Sequence, residues 1–185
     1  MVIKTVTPTN PACAADHENV EIDISVSCAA WSTALVTAED LCRDSVLAAL
    51  QTSAKNLSKA EVSIVLANDE FIQGLNKQYR HIDRPTNVLA FPGDDICPDQ
   101  YHDDGHTAAP VMLGDVVVAY ETAVSEAHKE NKSLADHLSH LVVHGTLHLL
   151  GHDHENDEEA VTMETLEVEV LATLGVQNPY DETSG

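Results

Sequence analysis

Four stretches of the 185-residue chain have the hydrophobic pattern of β-strands. Residues 20–26 (VEIDISV) alternate apolar and polar side chains with a period of two, which is typical of a half-buried strand. Residues 61–66 and 86–91 are short apolar runs, and the second of them stops at Pro92. Residues 111–119 (VMLGDVVVA) are apolar almost throughout, which indicates a largely buried strand.

Five longer stretches have the apolar spacing of amphipathic helices. Thr37 can cap the first of them, with Asp40 three residues further on as a looser form of the capping box. Asn68 or Asp69 can cap the second, and Gly175 follows the last. The predicted helices span about 38–53, 70–80, 120–131, 134–150 and 157–174.

This order of elements predicts an α+β fold, with a small mixed sheet of about four strands packed with about five helices. The length fits one domain with a sizeable core, which we expect over residues 20–180. Residues 1–19 are expected to be a flexible lead-in, and 181–185 a C-terminal tail. The polar, acidic loop at 93–110 is longer than loops usually are unless they are functional or mobile.

Histidines recur at helical spacing along the fourth predicted helix. His144 and His148 are four residues apart, so their side chains lie on one face of the helix on successive turns. Gly151 can end the helix in the left-handed conformation, which would let His154 approach as a third ligand. Three histidines with an open position are typical of a catalytic zinc site at the helix end. His140, one turn earlier, is expected to support or pack beside the site.

A lone histidine in an apolar helix is usually a hydrogen-bonded core residue, but three at this spacing fit one divalent metal better. Zinc suits three imidazoles, and nickel and copper also accept them. His152 and Asp153 could contact the ligands or face solvent, and the sequence leaves their roles open.

Composition is that of an ordinary globular protein, with 43% hydrophobic and 4% aromatic residues. No apolar run is long enough to span a bilayer. The N-terminus lacks the apolar core and basic flank of a secretory signal, so we expect a cytoplasmic protein. The cysteines are scattered without a CxxC pair and are expected to be free thiols in a reducing compartment. They are Cys13, Cys28, Cys42 and Cys97.

The net charge is −22, from 31 acidic and 9 basic residues. Broad affinity for nucleic acids comes from clustered lysine and arginine, so the chain is not expected to coat nucleic acid unspecifically. The charge still allows an enzyme whose active site is locally positive.

The spacing H-x3-H-x5-H resembles the zinc signature of metzincin proteases. That signature has a glutamate after the first histidine as general base, and here the position is Gly145. Without a carboxylate, a peptidase would lose a contribution of about 10²–10⁴ in rate. A metallopeptidase therefore stays as a disfavoured alternative.

Three ordered blocks resemble the YbeY family of rRNA maturation endoribonucleases. Residues 144–154 read HGTLHLLGHDH, close to the family signature HGxLHLxGYDH. Residues 76–92 (NKQYRHIDRPTNVLAFP) and the Leu-Gly-Asp at 113–115 resemble two further blocks. His152 replaces a tyrosine and Ala90 a serine of the family pattern. The resemblance covers about residues 20–180.

The resemblance implies a cytoplasmic, metal-dependent, single-strand-specific endoribonuclease acting in rRNA processing, notably at the 3′ end of the small-subunit rRNA, and in ribosome quality control. It implies His144, His148 and His154 as metal ligands, and Arg80 together with His144 as catalytic residues. A guanidinium can hold two phosphate oxygens; the structural alternative is a surface arginine or one paired with Asp83.

The implied partners are single-stranded RNA or an rRNA precursor, the small ribosomal subunit and its assembly proteins, with no DNA or membrane. A non-catalytic ribosome-assembly factor, whose metal mainly stabilises the fold, is the second alternative.

Overall fold

We describe the protein from a computed structural model, which covers residues 20–53, 59–93, 110–154 and 156–181. The predicted lead-in at 1–19 lies outside the described residues. So do all of the 93–110 loop except its two ends and all of the predicted tail except Asp181.

The described residues form one four-stranded mixed sheet. Its strands are β1 (Val20–Val26), β2 (Ala60–Ala67), β3 (Val88–Pro92) and β4 (Val111–Ala119). The strand order is β1-β2-β4-β3; β1, β2 and β4 are parallel and β3 is antiparallel to β4. β4 is flanked on both sides and its last four residues are all buried, as its nearly continuous apolar sequence predicts. The predicted small mixed sheet is confirmed.

Six helices accompany the sheet in the described part of the chain, one more than predicted. They are α1 (Ala29–Ala34), α2 (Ala38–Thr52), α3 (Asp69–Arg80), α4 (Tyr120–Lys129), α5 (Leu134–Leu149) and α6 (Asp157–Thr173). The additional helix, α1, is too short for a periodic pattern and forms around Trp31. This side chain is fully buried, and its indole N–H donates to the Ala67 carbonyl at 3.0 Å. None of the described helices is long and apolar enough to cross a membrane.

Strand β3 begins two residues later than predicted. The side-chain oxygen of Asn87 accepts a hydrogen bond from the backbone N–H of Val88 at 2.8 Å. A local side-chain bond of this kind competes with the regular ladder, so the strand starts after Asn87. Among the described strands β3 lies at the edge of the sheet, with β4 as its neighbour.

The two faces of the sheet are covered by different helices, because successive side chains of a strand point to opposite faces. Val116 and Val118 belong to the large core cluster, which includes residues of α2, α5 and α6. Val117 and Ala119 belong to a smaller cluster that contains Ile72 of α3. The histidine-bearing helix α5 and helix α3 therefore lie on opposite faces, and both contact strand β3.

Candidate metal centre

His144 and His148 lie on successive turns of α5 and face each other. Their Nε2 atoms are 3.1 Å apart, and their ring centroids are 4.6 Å apart. Both side chains are partly buried, with relative exposures of 25% and 22%. The helical spacing predicted from the sequence thus brings the two rings to one point at the end of the helix.

The turn after α5 brings in His154. Gly151 has a φ of 82°, its N–H donates to the His148 carbonyl, and the His152 N–H donates to the Leu147 carbonyl. This pair of bonds is the Schellman motif that ends a helix at a left-handed residue. The ring of His154 then lies 5.0 Å from that of His148, measured between centroids.

The three histidines have the donor set and the spacing that a zinc-like ion requires. Each offers one ring nitrogen, and these atoms all lie within 4.8 Å of one another. Two nitrogens at the usual 2.0–2.1 Å from a tetrahedral zinc would be separated by roughly 3.3 Å, close to the 3.1 Å between His144 and His148. Among the described residues, no other group of three or more such ligands comes together.

The protonation state of His148 suits a ligand. Burial lowers the pKa of His148 to about 4, and the neighbouring rings of His144 and His154 add to this effect. The imidazole is therefore neutral at pH 7, and one ring nitrogen carries a lone pair. The carboxylate of Asp153 lies 4.0 Å from Nδ1 of His148. Asp153, whose role the sequence left open, therefore lies beside this histidine.

A buried glutamate, Glu167 of α6, lies behind the histidines. Its Oε1 is 2.6 Å from Nδ1 of His144, and its Oε2 is 3.1 Å from Nε2 of His140. The hydroxyl of Tyr180 also donates to Oε2. Burial by itself raises the pKa of Glu167, but the hydrogen bonds from His140, His144 and Tyr180 outweigh it. They hold the pKa of this carboxyl well below its usual range.

Reasoning from the sequence did not identify Glu167, although its position carries a signal. Met163, Glu167, Val170 and Leu171 are the buried residues of α6, at the i, i+4, i+7 and i+8 spacing of an apolar stripe. Glutamate is almost never fully buried unless it is paired. A glutamate within the apolar stripe of a helix therefore indicates a specific buried partner.

Arg80 lines the same cavity as His144 and His148. Arg80 is the last residue of α3, and the next residue, His81, leaves the helix in the left-handed conformation with φ 61°. Asn76 holds this turn, since its carbonyl accepts from Ile82 and its amide donates to the Arg84 carbonyl at 2.8 Å. The cavity has a volume of about 140 Å³ and is lined by Arg80, Thr86, Asn87, Val88, Ala90, His144, Gly145 and His148.

Of the two structural alternatives for Arg80, the ion pair with Asp83 is not what the described residues show, whereas Arg80 is exposed at the end of its helix, as a surface arginine is. Asp83 pairs with Lys77 at 2.6 Å and accepts from Gln73 at 2.9 Å. The hydrogen bonds from Lys77 and Gln73 lower the pKa of Asp83, so it is ionised at neutral pH. Because Asp83 pairs with Lys77 and Gln73, it does not neutralise Arg80, which lines the cavity.

Asn87, which also lines the cavity, is held by a second, partly buried network. Its side-chain amide donates to Glu126 at 3.0 Å, and the same Glu126 oxygen is 3.0 Å from Nε2 of His137. These contacts anchor the start of β3 to helices α4 and α5. Neither Glu126 nor His137 was singled out from the sequence.

A larger cavity of about 540 Å³ lies elsewhere on the sheet. Its lining includes Glu21, Asp23, Glu61 and Asp115. Four carboxylates repel a phosphate backbone, so volume alone does not make this cavity a candidate for the chemistry.

Gly145 is required for the close packing of α5 on the sheet. A Cβ at this position would lie 2.6 Å from Cγ1 of Val116, a buried residue of β4. The glutamate that metzincin proteases have at the equivalent position would meet the same obstruction. The metallopeptidase alternative is disfavoured by packing as well as by the missing base.

We expect Gly145→Ala to destabilise the protein in a way that depends on Val116. Overpacking typically costs about 1–3 kcal/mol, offset by about 1 kcal/mol of helix propensity. The net loss of up to about 2 kcal/mol corresponds to a Tm lower by roughly 4–8 °C. In a Val116→Ala background the same substitution should cost less, because the obstructing methyl groups are gone. Equal Tm losses in both backgrounds, measured by circular dichroism, would contradict this explanation.

Known proteins match most of the chain. The family model for endoribonuclease YbeY matches residues 26–175. The endoribonuclease YbeY of Paramagnetospirillum magneticum is 48% identical over 167 residues, covering 88% of this chain and 97% of that protein. That of Azorhizobium caulinodans is 46% identical over 162 residues, covering 87% and 96%. The solution structure of TM1509 from Thermotoga maritima aligns with a TM-score of 0.47 and 26% identity, over 89% of this chain and 98% of that one.

The matched residues include every element that contributes to the candidate centre, from α3 with Arg80 to α6 with Glu167. The alignments cover nearly the whole length of these two relatives, so the similarity is not confined to the histidine motif. This chain belongs to the endoribonuclease YbeY family.

Proposed function

We propose that the chain is a cytoplasmic, metal-dependent endoribonuclease specific for single-stranded RNA. We assign it to rRNA processing, notably at the 3′ end of the small-subunit rRNA, and to ribosome quality control, with the small subunit and its assembly proteins as partners. Membership of the family supports RNA cleavage as the reaction. A domain over about residues 20–180 carries the activity.

One observation carries this proposal: Arg80 and two of the three clustered histidines line the same small cavity. We assign His144, His148 and His154 as ligands of one divalent ion, with zinc preferred and nickel or copper as alternatives. When bound, such an ion supplies Lewis-acid polarisation of a phosphoryl oxygen and lowers the pKa of a coordinated water or hydroxyl.

The residues of the chain would then bind and orient the phosphodiester. The guanidinium of Arg80 can donate two hydrogen bonds to phosphate oxygens and offset the charge that develops on them during cleavage. A cavity of about 140 Å³ admits little more than one backbone phosphate. A flexible single strand can turn one phosphate into it more easily than a stiff duplex, which supports the single-strand preference.

The acidic character of the protein is compatible with this substrate. With a net charge of −22, RNA affinity cannot come from the surface as a whole. It has to come from local cationic groups, and Arg80 lines the cavity with His144 and His148. We therefore expect weak binding to RNA that does not enter the cavity.

Removal of the metal tests the proposal directly. Treatment of the purified protein with a chelator should abolish cleavage of a small-subunit rRNA 3′-end precursor, and zinc should restore it. The same RNA annealed to its complement should be cut much more slowly. Elemental analysis of unchelated protein identifies the metal, and analysis of product ends separates attack by water from attack by the RNA 2′-hydroxyl.

Two results would refute the proposal. Cleavage that survives complete metal removal would show that the histidine cluster is not a catalytic metal centre. A large fall in Tm on chelation, with no cleavage by the metal-loaded protein, would instead favour the assembly factor with a structural metal.

A further inference from the structure

Glu167 contacts the candidate ligand His144 but does not line the cavity. Its side chain is 1% exposed, and it comes from α6, none of whose residues lines the cavity. It cannot touch the substrate, so any effect on the reaction must pass through His144.

The hydrogen bond to Glu167 decides which nitrogen of His144 carries the proton. Oε2 of Glu167 is contacted by His140 and the Tyr180 hydroxyl, and Oε1 is the carboxylate oxygen that faces His144. A carboxylate oxygen accepts hydrogen bonds, so Nδ1 of His144, 2.6 Å from Oε1, carries the proton that forms this bond. Nε2, which faces His148 at 3.1 Å, is left with the lone pair that a metal requires.

Both oxygens of the carboxylate are used, and this fixes its orientation. Oε1 faces His144, whereas Oε2 receives Nε2 of His140 at 3.1 Å and the hydroxyl of Tyr180. Tyr180 is itself held by the C-terminal segment: its N–H donates to Asn178 at 2.9 Å, and Lys132 donates to the Pro179 carbonyl at 3.0 Å. The glutamate therefore has no free rotation by which it could release His144.

We propose that Glu167 is the positioning residue of the metal centre: held by His140 and Tyr180, it fixes the tautomer and ring orientation of His144 so that Nε2 points at the metal. This rests on the function proposed above. Carboxylates behind metal-bound histidines commonly have this role, and their loss typically weakens metal affinity by about 10–100-fold. The C-terminal segment thereby contributes to a site that it does not touch.

The role explains why a glutamate lies in the apolar stripe of α6. A purely structural residue at that position could be apolar, as its buried neighbours Met163, Val170 and Leu171 are. The same role accounts for His140, which occupies Oε2 and leaves Oε1 to His144.

The test compares Glu167→Gln with wild type at pH 8. An amide has one acceptor oxygen, so it cannot accept from all three partners as the carboxylate does. We expect the Kd for Zn²⁺, measured by competition with a chromophoric chelator, to rise about 10–100-fold. In the metal-free protein, ¹⁵N NMR should show His144 protonated at Nδ1 in wild type and a mixture of tautomers in the variant.

Two further variants complete the design. Glu169→Gln, two residues along on the exposed side of α6, is the matched control and should leave the Kd and the tautomer unchanged. Glu167→Met, close in size and without polar atoms, replaces Glu167→Gln if the amide impairs folding, and should weaken Zn²⁺ binding at least as much.

The outcomes separate this inference from the proposed function. If wild type binds zinc and Glu167→Gln binds it equally well with His144 still protonated at Nδ1, Glu167 has no positioning role. A lower Tm of the metal-free variant with an unchanged Kd would likewise overturn it in favour of a packing role. If wild type itself fails to bind zinc, the metal centre and this inference both fall.

Discussion

His148→Ala should eliminate both metal binding and RNA cleavage. His148 is the central member of the cluster, with ring centroids 4.6 Å from His144 and 5.0 Å from His154. Loss of a partner behind a ligand typically weakens metal binding about 10–100-fold. Loss of a ligand itself should cost more than about 100-fold, so the variant should be purified without stoichiometric metal.

Thermal melting gives a second measurement of the same loss. A ligand present at 100 times its Kd stabilises the folded state by about 2.7 kcal/mol, which for a chain of this size raises Tm by roughly 5–10 °C. Zinc should produce that rise in wild type and little of it in His148→Ala.

The matched control for this variant is His128→Ala, an exposed histidine in the last turn of α4. It should keep the metal content, the zinc-dependent rise in Tm and the cleavage rate of wild type. If His148→Ala kept its metal and its activity, the assignment of the centre would be wrong. Loss of metal with full cleavage would indicate that the metal is structural or that a contaminating nuclease cuts the RNA.

Arg80→Ala should separate catalysis from metal binding. Arg80 lines the cavity with His144 and His148, but it lies on α3 and is not a ligand. Removal of one donor that stabilises developing negative charge typically lowers kcat by about 10²–10³. We expect a loss of that size with unchanged zinc content and unchanged Tm.

Two comparisons make the Arg80 result specific. Arg80→Lys keeps the charge but loses the bidentate geometry, so it should recover little of the rate. Arg84→Ala removes an exposed arginine four residues away that does not line the cavity, and kcat should stay near that of wild type. Equal losses for Arg80→Ala and Arg84→Ala would mean that both act only through general charge. Metal-dependent peptide cleavage that survives Arg80→Ala would revive the peptidase alternative.

Local patterns were sufficient for most elements of the fold. The five predicted helices and the four strands are all present, because each has a periodic pattern over enough residues to be read by itself. At the start of α3 the Asn68 side chain accepts from the Phe71 N–H, and at the start of α5 the Ser133 side chain accepts from the Asp136 N–H. Such caps connect neighbours in the chain and need no distant partner.

Two features of the fold required distant contacts. Helix α1 has six residues, too few to be stable or recognisable alone, and it depends on Trp31 reaching the Ala67 carbonyl 36 residues away. Strand β3 starts at Val88, later than predicted. The Asn87 side-chain oxygen accepts from the Val88 N–H, and the Asn87 side-chain amide donates to Glu126 of α4. Neither contact leaves a periodic signal in the local sequence.

The candidate site divides in the same way. His144, His148, Gly151 and His154 lie within eleven residues, so helical geometry and one left-handed turn suffice to bring them together. Their roles as ligands stay predictions that the substitutions above test. Arg80 was expected beside them through the family resemblance alone, because no local rule joins residues 64 positions apart in the chain.

The sequence by itself determined most helices and strands, the histidine cluster and the family, because each depends on neighbouring residues or on motifs in a fixed order. What only the tertiary structure decided is which residues surround the cluster. It placed the end of α3 so that Arg80 lines the cavity, and it paired Asp83 with Lys77 instead of that arginine. It also buried Glu167 against His144. Long-range packing creates these contacts, because a buried charge is tolerated only where the fold supplies its partners.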